Sequence, residues 1–183
     1  MIEILTQSFL KIPSHDLSRI ASDIVSPAKN KIYSYTTNLL TKLQSEGYYT
    51  IAISGSIQDM ANIFADIYNF DDCIGTLLES DSSGMHTGAE LRTVAGRKGT
   101  ILKEYIRGRK DLTLEGSIGV GDSGGDIQLL KTVTNPVAFN PSDDMLPVAI
   151  SNGWMIVIER KNIAYTLKKD LDGTYILAQT DIF

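Results

Sequence analysis

The stretch Gly119-Val120-Gly121-Asp122-Ser123-Gly124-Gly125-Asp126 decides how the rest of the sequence is interpreted. It follows a short apolar run and precedes a helix-like segment, 127–131, so it predicts a strand, a tight acidic turn and a helix. Its glycines allow a sharp turn and the close approach of a ligand. Asp122 is therefore expected at the carboxyl end of a strand, where open α/β sheets bind ligands.

The two carboxylates of this stretch indicate a metal site. Asp126 follows Asp122 at a spacing of about one helical turn, so both side chains can face one spot. Carboxylates beside a glycine-rich turn suit Mg²⁺, which binds carboxylates, water and phosphate oxygens. The alternative is a solvated loop in which Asp126 interacts favourably with the dipole of the following helix.

Composition limits the class of protein. The 183 residues carry a formal net charge of −5, with 43% hydrophobic and 21% charged residues. These values describe a soluble globular protein of one domain, with room for a small appendage. The negative charge gives no electrostatic reason to expect nucleic acid or an anionic membrane as a partner.

The cysteine content and the apolar runs bear on the compartment. Cys73 is the single cysteine, so no intrachain disulfide can form, and we expect it to be a small buried residue. A lone cysteine fits a reducing cytoplasm. No apolar run reaches the roughly 18 residues of a membrane helix, and no signal peptide is visible.

Apolar spacing and turn residues predict the order of elements along the chain. Pro13 ends a mixed apolar segment, 1–12, and Ser14 is predicted to cap a helix that runs to about residue 24. The further predicted helices cover 31–46 (with Gly47 as C′ residue), 57–68, 100–107 and 143–152 (capped by Ser142). The predicted strands cover 48–53, 118–120, 137–139 and 154–158. The repeated strand–helix order implies an α/β fold with a doubly wound parallel sheet.

Two hairpins interrupt or follow this pattern. The first is predicted from Asp72–Glu79 and Met85–Leu91, and the second, at the carboxyl end, from 162–168 and 174–180. Two histidines, His15 beside the first helix cap and His86 near the first hairpin turn, are expected to be exposed to solvent.

Ser54-Gly55-Ser56 follows the first predicted strand and precedes a helix. Backbone amides at that helix start, together with the Ser54 hydroxyl, form an anion site suited to phosphate. The alternative is that Ser56 only caps the helix. Lys98 precedes another predicted helix, where the dipole does not favour a cation, and this position indicates an anionic neighbour.

In this order, Ile51–Ser56, Lys98 and Gly121–Asp126 resemble motifs II, III and IV of the haloacid dehalogenase superfamily. The closer resemblance is to its phosphoserine-phosphatase-like branch. The hairpin end Met85-His86-Thr87-Gly88 and the segment Val137-Ala138-Phe139-Asn140-Pro141, followed later by Gly153-Trp154, resemble the same branch. The resemblance spans about residues 30–158.

The resemblance implies a Rossmann-like core with a helical cap and Mg²⁺-dependent phosphoryl transfer through an aspartyl-phosphate. By position, it implies that Ser54 and the Gly55 amide bind the phosphoryl group of a small phosphorylated substrate. It implies that Lys98 neutralises phosphate charge, that Asp122 ligates Mg²⁺ directly or through water, and that Asp126 supports that shell.

One departure from the family concerns the nucleophile. The family begins with Asp-x-Asp-x-Thr at the end of the first strand, and nothing before Ser54 fits this motif. The segment Met1 to about Asn30 resembles the latter part of a helical cap, so we expect the nucleophile to lie outside this chain. Asp170-Leu171-Asp172-Gly173-Thr174 spells the motif at the other end. A circular permutation could use it, but Asp-Gly between alternating strands is a hairpin signal.

The expected organisation is therefore a cap remnant and connecting helix over 1–46, a phosphatase core over 47–158 and a hairpin extension over 159–183. The predicted function is a Mg²⁺-dependent phosphomonoester hydrolase. Because the nucleophile motif is missing, two alternatives stay open: an inactive homologue that binds phosphate or a protein partner, and a truncated chain with an exposed strand edge that aggregates or forms dimers.

Overall fold

A computed structural model describes residues 13–25 and 32–183, with the backbone alone at residues 14, 15 and 18. The helices are α1 (Ser14–Val25), α2 (Ser34–Ser45), α3 (Gln58–Tyr68), α4 (Lys98–Arg107), α5 (Ile127–Leu130) and α6 (Leu146–Asn152). The strands are β1 (Ile51–Ile57), β2 (Asp72–Ser80), β3 (His86–Arg92), β4 (Ile118–Gly121), β5 (Asn135–Phe139), β6 (Met155–Arg160), β7 (Ile163–Lys169) and β8 (Tyr175–Ile182). Predictions for 1–12, for the Ser14 cap and for the His15 side chain lie outside the described residues. Of the helices described, none has the length and apolar character needed to cross a membrane.

The chain forms two compact units. Residues 40–95 belong with α1 in the first unit, and residues 33–39 belong with 96–183 in the second, so α2 contributes to both. The sequence predicted domain boundaries at 46/47 and 158/159. The contacts group the residues differently, and the predicted domain division stays a prediction.

The first unit is a strand–helix–strand element followed by a hairpin, as predicted. β1 and β2 run parallel and are joined by α3, and β3 returns antiparallel to β2. α1 packs against α3. The core residues on these two helices are mostly small, which permits close packing, and each is at most 5% exposed: Leu17, Ala21, Ala61 and Ala65.

The second unit contains a five-stranded sheet in the order β4-β5-β6-β7-β8. β4, β5 and β6 run parallel, whereas β7 and β8 complete the sheet with antiparallel pairing. Neighbouring residues of one strand, such as Val137 and Ala138, belong to different buried clusters. Both faces of the sheet are therefore covered, which explains the continuous apolar runs of β5 and β6.

The predicted α/β class, with parallel strands joined by helices, is confirmed. The strands nevertheless form two sheets, of three and five strands, where the sequence predicted a single one. β1 and β4 lie at sheet edges, and no other strand in the described ranges pairs along their outer sides. The alternation of elements was readable from local patterns, but the choice of neighbouring strands was not.

The carboxyl-terminal hairpin is confirmed, and it excludes the permutation. β7 pairs antiparallel with β6, so the turn after Lys169 lies at the opposite end of the sheet from the carboxyl end of β4. In that turn, the Asp170 carboxylate accepts hydrogen bonds from the amides of Asp172 and Thr174 at 3.0 and 2.9 Å. Gly173 takes a φ of 84°. Asp170 thus closes a hairpin away from Asp122, and the circular-permutation hypothesis is wrong.

A buried carboxylate anchors the start of α2. Glu159 on β6 is 5% exposed and accepts hydrogen bonds from the Ser34 and Tyr35 amides, each at 2.9 Å. We expect Glu159→Ala to lower the free energy of unfolding by about 2 kcal/mol, because two amides at a helix start lose their acceptor. Urea denaturation measures this value. Exposed Glu115 is the control, since Glu115→Ala should change it by less than about 0.5 kcal/mol. Equal effects would contradict the anchoring role.

Candidate active site

The acidic turn adopts the predicted strand–turn–helix arrangement. β4 ends at Gly121, a single turn of 3₁₀-helix covers Gly124–Asp126, and α5 follows directly. Asp122 is exposed, and no hydrogen-bond or ion-pair partner of its carboxylate is found among the described residues. This carboxylate stands at the carboxyl end of an edge strand, ready to bind a ligand from solvent.

Asp126 has quite different surroundings from Asp122. It is 5% exposed, and its Oδ1 lies 2.5 Å from Lys98 Nζ. Its Oδ2 accepts the amides of Asp122 and Ser123 at 3.3 and 3.2 Å and the Ser123 hydroxyl at 3.0 Å. Asp126 therefore stabilises the turn from inside while Asp122 points to solvent.

Lys98 reaches Asp126 because two helices approach closely. Lys98 is the first residue of α4. A Cβ on Gly99 would lie 2.5 Å from the carbonyl oxygen of Gln128, so only glycine lets α4 approach α5 this closely. The anionic neighbour that the position of Lys98 indicated is thus Asp126. The ion pair is largely shielded, with the side chains of Lys98 and Asp126 only 20% and 7% exposed.

The charge of Asp126 is held in place by its partners. Burial acts to raise the pKa of this carboxyl, but the hydrogen bond and positive charge of Lys98, with the bonds from Ser123, outweigh burial. The net result is a pKa below the ordinary value of aspartate. The Asp126 carboxylate therefore stays ionised at neutral pH.

The glycines of the turn are required for a different reason from the one predicted. Neither Gly121 nor Gly124 has a positive φ. A Cβ on Gly121 would lie 2.4 Å from the Asp126 Cβ, and one on Gly124 would lie 2.1 Å from an oxygen of Asp144. Only Gly125 has open space around it, with the nearest atom 3.8 Å away. Asp126 and Asp144 therefore occupy the space in which we expected a ligand to approach the backbone.

A loop that was not predicted from the sequence contacts the acidic turn. After β5, the Ser142 amide donates to the Asp122 carbonyl at 2.8 Å, and the Ser142 hydroxyl donates to Asp144. An oxygen of Asp144 also lies against Gly124, where a Cβ would approach it to 2.1 Å. The hydrogen bond from the Ser142 hydroxyl is the main cause that holds the pKa of Asp144 below its ordinary value. The carboxyl ends of adjacent parallel strands, such as β4 and β5, lie at the same edge of a sheet. The contact between the loops that follow these two strands could therefore have been predicted.

The predicted cap at Ser142 is wrong. α6 begins at Leu146, and its N-cap, Met145, makes no side-chain capping bond. The segment before it forms a turn in which the Ser142 carbonyl accepts the amides of Met145 and Leu146. The Ser142 hydroxyl donates to Asp144 and does not cap the helix.

In the first unit, Ser54 lies within β1, which continues to Ile57. Its hydroxyl oxygen accepts the Ser56 amide at 3.1 Å, and Gly55 is exposed. Ile57 is the N-cap of α3 and no side chain caps the helix, so the alternative role of Ser56 as a cap is wrong. Ser54 and Gly55 belong to the first unit, and their part in a site with Lys98 and Asp122 stays a prediction.

The start of α3 is fixed just after this segment. The Gln58 side chain accepts the Gly75 amide at 2.8 Å and a bond from Arg92. A cavity of about 320 Å³ opens beside Ser54, within the size range of sites for small molecules. Its walls are mainly apolar and include Ile53, Met60 and Phe64.

His86 and Cys73 belong to the first unit. His86 is 7% exposed, so the prediction of an exposed histidine is wrong. Its Nδ1 lies 3.1 Å from the hydroxyl of Ser80, its partner across the hairpin, where the register of β2 and β3 is irregular. Cys73 is half-buried, and burial, followed by the charge of Asp72, raises its pKa. A protonated thiol fits a structural role.

Comparison with known families decides the relationship. The family model described as haloacid dehalogenase-like hydrolase matches residues 2–131. The chain belongs to the haloacid dehalogenase-like hydrolases. The resemblance predicted from the sequence is therefore confirmed, and the matched range of this haloacid dehalogenase-like chain includes Ser54, Lys98 and the acidic turn.

Individual relatives agree with this family. A histidinol-phosphatase of Neisseria meningitidis serogroup C (strain 8013) is 30% identical over 125 residues, which cover 65% of this chain and 55% of that protein. The chain thus spans little more than half the length of this relative. A protein of unknown function from Bordetella pertussis Tohama I has a similar structure, with a TM-score of 0.74 at 20% identity over 86% of this chain and 72% of that one. For an unliganded probable phosphoserine phosphatase of Vibrio cholerae the TM-score is 0.57 at 16% identity, over 78% and 42%.

Proposed function

We propose that this haloacid dehalogenase-like chain forms the core of a Mg²⁺-dependent phosphomonoester hydrolase that acts on a small phosphorylated metabolite. The observation that carries the proposal is the acidic turn. An exposed Asp122 with no partner among the described residues stands beside a shielded Lys98–Asp126 ion pair. Phosphoryl transfer depends on positioned charge that offsets the negative charge of the phosphoryl group.

The residues of the turn fit Mg²⁺ as a partner. No cluster of three or more acidic, histidine or cysteine side chains suited to a metal is found in the ranges described. That is compatible with Mg²⁺, which is often held by one or two carboxylates and completed by waters and phosphate oxygens. Asp122 would hold the ion, and Asp126, whose oxygens already accept bonds from Lys98 and Ser123, would support it. When bound, Mg²⁺ offsets the repulsion between carboxylates and phosphate.

The other groups would bind and orient the phosphoryl group. The Lys98 ammonium would neutralise phosphate charge, a local requirement in a chain with a net charge of −5. The Ser54 hydroxyl and the Gly55 amide would donate hydrogen bonds to phosphoryl oxygens. The aspartate that becomes phosphorylated would come from outside these 183 residues, as the missing motif indicates. A cytoplasmic location belongs to the same proposal and rests on the lone Cys73.

A second candidate function follows from the missing nucleophile. Without an Asp-x-Asp-x-Thr motif ahead of Ser54, the chain would bind phosphate or a protein partner and turn over nothing. Phosphate release in the presence of Mg²⁺, measured after the chain has been given a nucleophile, separates the two functions. The main proposal predicts no release by this chain, and release once an Asp-x-Asp-x-Thr strand is placed ahead of residue 1, which we term the nucleophile-bearing form. Phosphoserine and histidinol phosphate are the first substrates to test. A nucleophile-bearing form that folds and binds Mg²⁺ yet hydrolyses no phosphomonoester would favour the binding function.

Ser54→Ala tests the phosphate contact. We expect kcat/KM of the nucleophile-bearing form to fall about a hundredfold, because one hydrogen-bond donor to the developing charge is lost. Ser56→Ala is the matched control, since Ser56 is exposed and contributes its amide, not its hydroxyl, to the bond with Ser54. Steady-state kinetics measures both variants. If the two substitutions lower kcat/KM equally, Ser54 has no specific role.

A further inference from the structure

The loop that follows β5, residues 140–145, is itself firmly held. The Asn140 amide donates to the Val157 carbonyl at 2.8 Å, and its side-chain oxygen accepts the Glu159 amide at 2.8 Å. Asn140 takes a φ of 42°, which an asparagine tolerates better than most residues. At the other end, Met145 is fully buried. Both ends of the loop are therefore fixed to the core of the second unit.

From this fixed loop, two groups contact the acidic turn. The Ser142 amide donates to the Asp122 carbonyl at 2.8 Å, and a carboxylate oxygen of Asp144 packs against Gly124, 2.1 Å from where a Cβ would lie. The Ser142 hydroxyl donates to Asp144 and orients that carboxylate. The turn is thus held at Asp122 itself and at Gly124, two residues further along the chain. Inside the turn, Asp126 Oδ2 accepts hydrogen bonds from the Asp122 and Ser123 amides. These bonds are longer, at 3.3 and 3.2 Å.

We infer that Ser142 and Asp144 are positioning residues for Asp122: they hold the acidic turn from outside, so that the Asp122 carboxylate is presented to solvent in one fixed orientation. Neither residue needs to touch the ion or the substrate. The role of Asp122 as a metal ligand rests on the proposed function. The hold of Ser142 and Asp144 on the turn, which we call the clamp, can be measured without it. It also explains why glycine occupies position 124, where a Cβ would displace Asp144.

The first test measures amide hydrogen exchange of the 183-residue chain without metal. In Asp144→Ala the loop loses its contact with Gly124, so we expect the Ser142 amide, which is bonded to the Asp122 carbonyl, to exchange about tenfold faster. Asp143→Ala is the matched control, because it removes the same charge from the next position of the loop. Asp144→Asn, which keeps an acceptor oxygen, should restore most of the protection. Equal exchange in Asp144→Ala and Asp143→Ala would overturn the clamp.

The second test measures Mg²⁺ affinity from amide shifts of the turn. We expect Asp144→Ala to raise the dissociation constant about tenfold and Asp143→Ala to raise it less than about twofold. A second pair of variants replaces the first if Asp144→Ala does not fold. Gly124→Ala should raise the dissociation constant for Mg²⁺ as Asp144→Ala does. Gly125→Ala should not, because a Cβ at position 125 has open space around it. Equal effects within both pairs would overturn the positioning role. If the wild-type chain shows no Mg²⁺ response, the proposed function loses its metal, and the exchange experiment still decides the clamp.

Discussion

Lys98→Met should lower the free energy of unfolding by about 3 kcal/mol, because it leaves the shielded Asp126 carboxylate without its cation. The methionine keeps the apolar length of the lysine, so lost packing contributes little. Chemical denaturation of the 183-residue chain measures the effect. Lys103→Met is the matched control on the same helix, since Lys103 is exposed and the substitution should cost less than about 0.5 kcal/mol.

The pH dependence of this loss has a defined sign. In the wild-type chain the pKa of Asp126 is depressed, so its contribution to stability is present above the unfolded pKa of about 3.9 and is lost as pH falls through the folded value. Without Lys98, burial remains while the main opposing groups are gone, and the pKa of Asp126 rises. The difference in stability between wild type and Lys98→Met should therefore shrink as pH falls toward about 4. A difference that stays constant from pH 7 to pH 4 would show that the ion pair is not its cause.

Asp122→Asn should reduce turnover of the nucleophile-bearing form about a thousandfold, because an exposed carboxylate with no partner among the described residues is lost as a Mg²⁺ ligand. The free energy of unfolding should barely change, since the Asp122 carboxylate contributes no described bond to the fold. This combination separates a residue that acts on a ligand from one that stabilises the chain. A variant that keeps its turnover would remove Asp122 from the site.

Asp170→Asn is the informative control for that experiment. The position carries the sequence that resembles the missing nucleophile motif, yet its carboxylate closes the β7–β8 turn at the other end of the sheet. Asparagine keeps the acceptor oxygen for the Asp172 and Thr174 amides, so both turnover and stability should stay unchanged. Loss of turnover in Asp170→Asn would revive the permuted arrangement that the strand order excludes.

The elements around the site were predictable because their signals are local. The strand, glycine-rich turn and helix at 118–131 follow from apolar periodicity and turn residues, and the hairpin at Asp170 follows from its Asp-Gly pair. The position of Lys98 at a helix start even indicated an anionic neighbour. Its identity as Asp126 depends on how closely α4 approaches α5 at Gly99, which no pattern within either helix specifies.

What the sequence did not predict depends on long-range packing. Asp144 was interpreted as part of a helix, because Ser142 resembles a cap; its contact with Gly124 exists only after β4 and β5 pair. His86 was expected at the surface, but it is buried where it pairs with Ser80 across the β2–β3 hairpin. The division of the strands into two sheets likewise follows from pairing partners, which apolar periodicity does not encode.

The most direct test of the central claim is a Mg²⁺ titration of the 183-residue chain, followed through the backbone amide resonances of residues 121–126. We predict saturable shifts confined to these amides and their neighbours, and the loss of those shifts in Asp122→Asn. Asp170→Asn should titrate like the wild type. The absence of any response to Mg²⁺, or equal shifts in wild type and Asp122→Asn, would contradict a metal site at the acidic turn.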